Sequence, residues 1–195
     1  QPDDLAALIY TSGTTGNAKG VMLSHKNLCC NIIIASKTQK TNEKDVWLSI
    51  LPMAHTYELS LGVLYPMYAG AKVVYLQKPP TASILLVALK KVRPTIMLSV
   101  PLIIEKIYKA SILPTIQKSR VLKWMHRNMA GLLYWFVGMR LKNTFGGRIK
   151  FFGIGGAKLN PAVEKFLKKA RFNYAIGYGM TECAPLICTA GVKQT

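Results

Sequence analysis

Positions 10–20 read Tyr-Thr-Ser-Gly-Thr-Thr-Gly-Asn-Ala-Lys-Gly, so three glycines, four Ser/Thr hydroxyls and one lysine fall within eleven positions. These residue types suit a phosphate. Gly13, Gly16 and Gly20 let the backbone turn and come close to a ligand, Thr11, Ser12, Thr14 and Thr15 supply donors, and Lys19 supplies a point charge. Apolar residues at 5–10 and 21–23 make a strand–turn–strand hairpin the natural setting. The loop is not a Walker loop, which needs Ser or Thr after its lysine; here Gly20 follows Lys19. Taken alone, the same composition also fits a solvated hairpin turn.

A second cluster, Gly177-Tyr178-Gly179-Met180-Thr181-Glu182, again joins glycines to an aromatic face, a hydroxyl and a carboxylate. Between the two lie Leu51-Pro52-Met53-Ala54-His55-Thr56-Tyr57-Glu58 and Gly155-Gly156-Ala157-Lys158-Leu159. In this order the four segments resemble the phosphate-loop, substrate-gate, adenine-side and second signature motifs of the adenylate-forming (AMP-binding) superfamily of acyl-CoA synthetases, luciferases and peptide-synthetase adenylation domains. The resemblance covers the whole chain. His55 followed by Glu58, and the run Met180-Thr181-Glu182-Cys183-Ala184-Pro185, look most like bacterial long-chain fatty-acid CoA ligases, although Leu59 stands where that pattern commonly has a basic residue.

The resemblance implies a two-step ligation. A fatty-acid carboxylate attacks the α-phosphorus of ATP, giving acyl-adenylate and pyrophosphate, and the thiol of CoA then displaces AMP. Positioning and charge stabilisation carry such a reaction, with no enzyme nucleophile. By the same resemblance Thr11, Ser12, Gly13, Thr14, Thr15, Gly16 and Lys19 cradle the β- and γ-phosphates. Thr181 donates to the α-phosphate, Glu182 holds Mg²⁺, Tyr178 and Gly179 lie beside adenine with Gly155, Gly156 and Ala157, and His55 gates and orients the reacting carboxylate. Against the family pattern the chain lacks the ribose-binding aspartate, the hinge and the mobile C-terminal domain with its catalytic lysine. It therefore reads as an incomplete N-terminal domain, an excised piece expected to be inactive alone.

Plain structural readings stand beside these roles. Glu182 can cap a turn or pair with a lysine, His55 can be structural, Tyr178 can be core, and Gly155-Gly156 can be an ordinary strand-to-helix turn. Leu59, Leu61, Val63, Leu64 and Met67 either line a tunnel for an alkyl chain or form the buried face of a helix. An aryl or medium-chain acid ligase remains a rival substrate class, and a non-catalytic nucleotide- or membrane-binding module a rival function.

The 26 Lys and Arg against 8 Asp and Glu give a net charge of +18. No Cys-His finger, RNP-like aromatic run or basic repeat accompanies the charge, so nucleic acid is not expected. Residues 118–148 mix basic and large apolar side chains at near-helical spacing, which suits either peripheral contact with an anionic membrane or a packed helix pair with lysines at its rim. No apolar run approaches the roughly 20 residues of a membrane span, and no signal peptide is visible. Cys29, Cys30, Cys183 and Cys188 lack zinc spacing and read as buried or half-buried free thiols in a cytoplasmic protein. Trp47, Trp124 and Trp135 read as packing residues.

Short apolar runs alternating with helical patterns define an α/β fold with a largely parallel sheet layered by helices. Strands are expected at 5–10, 20–24, 46–50, 72–76, 95–99, 149–153 and 173–178. Helices are expected at 25–38 after Ser24, at 58–68 closed by Gly70, up to Lys91 from a cap at Thr81 or Ser83, and from Pro101 and Pro161, the latter capped by Asn160. Both signature loops then fall at strand ends, where open α/β sheets bind ligands.

Overall fold

The computed structural model describes residues 1–12, 17–114, 129–192 and 194. Strands β1 (Leu5–Thr11) and β2 (Lys19–Ser24) form the expected antiparallel hairpin, and the ladder ends where Thr11 faces Lys19. Helix α1 (His25–Thr38) follows without a break. Ser24 opens it with a capping box, accepting from the Asn27 amide while the Asn27 side chain accepts from the Ser24 amide.

A second sheet is built from β3 (Val46–Ser49), β4 (Lys72–Tyr75), β5 (Ile96–Ser99), β6 (Phe151–Ile154), β7 (Tyr174–Gly179) and β8 (Leu186–Thr189). Its order is β4-β3-β5-β6-β7-β8, parallel throughout except for the antiparallel β7–β8 pair. Strand β8 was not expected from the sequence. It is short, and its polar–apolar pattern gives little signal before β7 is present to pair with it.

Alternation along the strands divides two apolar layers. Leu48, Met97, Phe152 and Ile154 point to one face, where they pack with α3 (Ala82–Val92), α5 (Ala130–Thr144) and α6 (Pro161–Lys169). Phe145, Phe152 and Phe172 meet there with ring centroids 5.2 to 5.6 Å apart. Trp47, Ile96 and Leu98 point to the other face, against Ile32 and Ala35 of α1 and Leu61 and Tyr65. Parallel strands covered on both sides read as continuous apolar runs, which is why this sheet was legible.

The helices differ from expectation in two places. The 58–68 segment is a π-helical stretch, Glu58–Leu64, that passes into the short α2 (Tyr65–Tyr68), and α4 (Pro101–Ile107) continues as a π-turn, Tyr108–Ile112. The wider winding changes which residues share a face, so Leu61 is buried whereas Met67 is exposed. Thr81, rather than Ser83, accepts from the helix, at Ile84 N, and Asn160 caps α6.

Other side-chain expectations are corrected as well. Cys29 and Cys30 are exposed because α1 turns them away from the sheet, Cys188 is exposed on β8, and only Cys183 is half-buried. Trp47 is core, but Trp135 is exposed beside Phe136 on α5. Trp124 and positions 118–128 lie outside the described residues.

At the amino ends of the strands a buried carboxylate fixes the register. Asp45 accepts from Thr95 Oγ1 and Lys150 Nζ, each at 2.8 Å, and from the Asn42 amide at 3.2 Å. The Val46 amide in turn donates to Thr95 Oγ1. This cluster ties β3, β5 and β6 together at the edge opposite their loops.

Candidate active site

The carboxyl ends of β3, β6 and β7 deliver three of the four sequence motifs to one edge of the sheet. Past β3 come Leu51 to Glu58, past β6 come Gly155, Gly156 and Ala157, and β7 itself ends in Tyr178 and Gly179. A 3₁₀ turn, Thr181–Cys183, then carries Thr181 and Glu182. The chain returns through Ala184, which adopts φ 65°, and a cis Ala184–Pro185 bond into β8. Gly179 makes that return possible: a Cβ there would stand 2.0 Å from the Pro185 carbonyl oxygen, to which the Met180 amide donates at 2.9 Å.

Tyr178 is 66 % exposed, so it is a ring offered to solvent rather than part of the core. Glu182, His55, Gly156 and Ala157 are also exposed, and Thr181 is half-buried. The gate segment folds back over the sheet edge, laying the Tyr57 ring against Gly153 and Gly155. The bare face of Gly155 is thus filled by Tyr57, whereas Gly156, at φ 84°, meets only Val100.

The hairpin joins the site through its base. Leu23 of β2, Leu28 of α1 and Ala184 form a small buried cluster, so β2 rests on the turn that bears Thr181 and Glu182. Asn31, in the middle of α1 and buried, donates from Nδ2 to the Cys183 carbonyl at 2.9 Å and accepts at Oδ1 from the Leu186 amide at 2.7 Å. Thr11, Ser12 and Lys19 stand at the far end of the hairpin, the last two exposed. Gly13, Thr14, Thr15 and Gly16 lie outside the described residues.

Glu58 is an ionisable group to which the motifs assigned no role. It is 1 % exposed, its Oε1 accepts from Ser49 Oγ at 2.5 Å, and burial pushes its carboxyl up to about 7 against the lowering effect of that hydrogen bond. The neighbouring Tyr57 hydroxyl is also pushed up, by burial and then by the Glu58 charge. Asn31, Tyr57 and Glu58 were not singled out as contributors to the site. A polar residue in the otherwise apolar buried stripe of α1 was the available signal for Asn31; for Tyr57 and Glu58, where the π-helical stretch begins, the wider winding leaves no periodic trace.

Between the sheet face and α1 lies an apolar cavity lined by Ala35, Trp47, Tyr57, Leu61, Tyr65, Leu98, Phe151, Gly153, Ala175, Gly177 and Leu186, among others. Of Leu59, Leu61, Val63, Leu64 and Met67, Leu61 alone is among the residues lining this cavity. Among the described residues no group of three or more His, Cys, Asp or Glu side chains could hold a metal ion. A single carboxylate at Glu182 nevertheless fits Mg²⁺, which commonly takes one or two protein carboxylates together with water and substrate phosphates. No described helix is long and apolar enough to cross a membrane.

An open, mainly parallel α/β sheet whose ligand-type motifs gather at its carboxyl edge defines an α/β protein of the class that binds its ligands at the strand ends. The AMP-binding enzyme family model matches residues 1–195, and the chain belongs to that family. It is 38 % identical to the peroxisomal long chain acyl-CoA synthetase 6 of Arabidopsis thaliana, over 96 % of this chain and 28 % of that protein. It is 30 % identical to long-chain-fatty-acid–CoA ligase 1 of Cavia porcellus, over 94 % of this chain and 28 % of that protein. The chain thus spans under a third of the length of these relatives. The o-succinylbenzoate coenzyme A synthetase of Bacillus subtilis, solved in complex with ATP and magnesium ion, has the same fold, with TM-score 0.74 at 23 % identity over 99 % of this chain and 34 % of that one.

Proposed function

We propose that the chain is the nucleotide-binding core of an ATP-dependent long-chain fatty acyl-CoA ligase that acts as a full-length protein. The observation that carries this reading is the convergence of the His55, Gly155–Gly156 and Tyr178–Glu182 segments on one sheet edge, with the hairpin packed on the last of them. In the first step a carboxylate oxygen bonds to the α-phosphorus of ATP, and the bond to the bridging oxygen breaks as pyrophosphate leaves. In the second step the CoA sulfur bonds to the acyl carbon, AMP leaves, and the thiol proton passes to solvent.

This chain's residues bind and orient. Thr11, Ser12, Gly13, Thr14, Thr15, Gly16 and Lys19 take the β- and γ-phosphates, Thr181 donates to the α-phosphate, and exposed Tyr178 supplies a face for adenine beside Gly179, Gly156 and Ala157. Gly155 contributes by seating Tyr57. His55 orients the acid, and the apolar cavity behind Tyr57 takes its alkyl chain. Glu182 would hold Mg²⁺, which when bound would supply charge neutralisation at the phosphate oxygens.

Pyrophosphate release by the full-length protein, measured with acids of graded length, tests the reading. The highest kcat/KM falls on long-chain acids. A maximum on aryl or medium-chain acids transfers the site to that substrate class, and no turnover with any acid leaves a non-catalytic nucleotide-binding module.

A specific observation also favours peripheral contact of this cytoplasmic protein with an anionic membrane. Leu132, Trp135, Phe136 and Met139 form an exposed apolar stripe along α5, next to Arg140 and Lys142. Flotation with anionic vesicles at low salt carries the protein upward. Equal flotation with neutral vesicles, or none, removes this contact.

A further inference from the structure

We infer that Asn31 is a positioning residue for the phosphate and metal side of the site, holding the turn of Thr181 and Glu182 against the helix that continues from the phosphate hairpin. The inference rests on the ligase reading above.

A carboxamide in mid-helix is a poor choice on local grounds. Asn competes with the helix backbone for hydrogen bonds, and a buried amide without partners is costly. Asn31 shares the inward stripe of α1 with Leu28, Ile32 and Ala35, where an apolar residue would be the simple solution. Its two shorter hydrogen bonds are instead made outside the helix. Nδ2 donates to Cys183 O at 2.9 Å and makes a longer contact to Asn27 O at 3.4 Å, while Leu186 N donates to Oδ1 at 2.7 Å.

The two strong partners bracket the segment 183–186, in which the chain reverses from the 3₁₀ turn into β8. The β7–β8 register shifts beside this segment, between Tyr178 and Gly179, so the ladder is irregular where it meets the turn. Asn31 acts in place of a neighbouring strand, giving one donor and one acceptor to main-chain groups. Because α1 is continuous with β2, the same pair of bonds relates the hairpin to the turn. Lys19 stands four residues along β2 from Leu23, about 14 Å at ordinary strand rise. A small tilt at the base is therefore magnified at Lys19.

The test uses the full-length enzyme and three variants. Asn31→Leu keeps the volume and loses both bonds; Asn31→Asp keeps the acceptor for Leu186 N and loses the donor to Cys183 O; Ser24→Ala removes the cap of α1 without touching the turn. Affinity for MgATP by calorimetry, ATP–pyrophosphate exchange with a long-chain acid, and thioester formation from supplied acyl-adenylate are measured alongside melting temperature. Asn31→Leu weakens MgATP binding and slows exchange by about a hundredfold, the scale of an ångström-level misplacement of reacting groups, while thioester formation changes by far less. Asn31→Asp falls between it and the unmodified enzyme, and Ser24→Ala lowers the melting temperature with MgATP affinity unchanged.

If Asn31→Leu and Ser24→Ala lower the melting temperature alike and both leave MgATP affinity unchanged, Asn31 is only a stabilising residue and the inference fails. Should Asn31→Leu not fold, Asn31→Asp gives the same decision from its own MgATP affinity and exchange rate. An unmodified enzyme that binds MgATP but activates no acid overturns the ligase reading and with it this role, and it is recognised before any variant is compared.

Discussion

The ring of Tyr57 lies on the bare face of Gly155: a Cβ at that glycine would stand 3.2 Å from Tyr57 Cζ. Two motifs about a hundred residues apart in sequence are thereby in van der Waals contact, and the gate segment is seated by the loop that follows β6.

Gly155→Ala adds the methyl that this contact excludes. The ring must shift by a few tenths of an ångström, at a stability cost of about 1 kcal/mol. Because Tyr57 also lines the apolar cavity, KM for the acid rises while KM for ATP changes little. Steady-state kinetics with each substrate varied separately reads the difference, and equal KM changes would show that Tyr57 does not belong to the acid side.

Glu58 gives a pH dependence of defined sign. Its folded carboxyl sits at about 7 against an ordinary 4.5, because burial disfavours the charge. The folded state therefore holds the extra proton, so the contribution of Glu58 is fully favourable below about pH 4.5 and is lost as pH rises through about 7. Glu58→Gln, neutral at every pH, melts higher than the unmodified protein at pH 8, by roughly 1–3 kcal/mol, and the gap closes toward pH 5. Thermal melts of both proteins across that range provide the check; a gap that widens toward acid reverses the assignment.

Asp45 behaves in the opposite direction. Burial raises its carboxyl, but hydrogen bonds from Lys150, Thr95 and the Asn42 amide outweigh burial and hold it below the ordinary carboxylate range. Its stabilisation is present above the unfolded carboxylate range and is lost as pH falls through the folded value. Asp45→Asn costs about 2 kcal/mol near neutrality and makes the acid limb of the melting curve shallower. Since Asp45 lies at the amino ends of the strands, away from the motifs, KM values stay unchanged. A kinetic defect would place it in the site instead.

Glu182→Gln separates binding chemistry from folding. The side chain is exposed, so the melting temperature corresponds to a change within about 0.5 kcal/mol. Adenylation falls by about 10²–10³-fold, the scale of losing one transition-state contact, and added Mg²⁺ no longer restores it. Pyrophosphate exchange at graded Mg²⁺ measures this, and an unaltered Mg²⁺ response shows that another group holds the ion.

The sequence by itself determined the parallel strands, the capped helices and the family. Each of these rests on short-range chemistry: apolar runs that must be covered on two faces, Ser24 and Asn160 at helix starts, glycines and hydroxyls where a phosphate is expected. Only the tertiary structure decided how the motifs relate. The Tyr57–Gly155 contact and the two hydrogen bonds of Asn31, to Cys183 and Leu186, join residues distant in sequence, while the π-winding of Glu58–Leu64 and the pairing of β8 depend on the sheet they pack against. Their partners are backbone groups or bare glycine faces, which any sequence supplies and which become specific only when the sheet order sets β3, β6 and β7 at one edge.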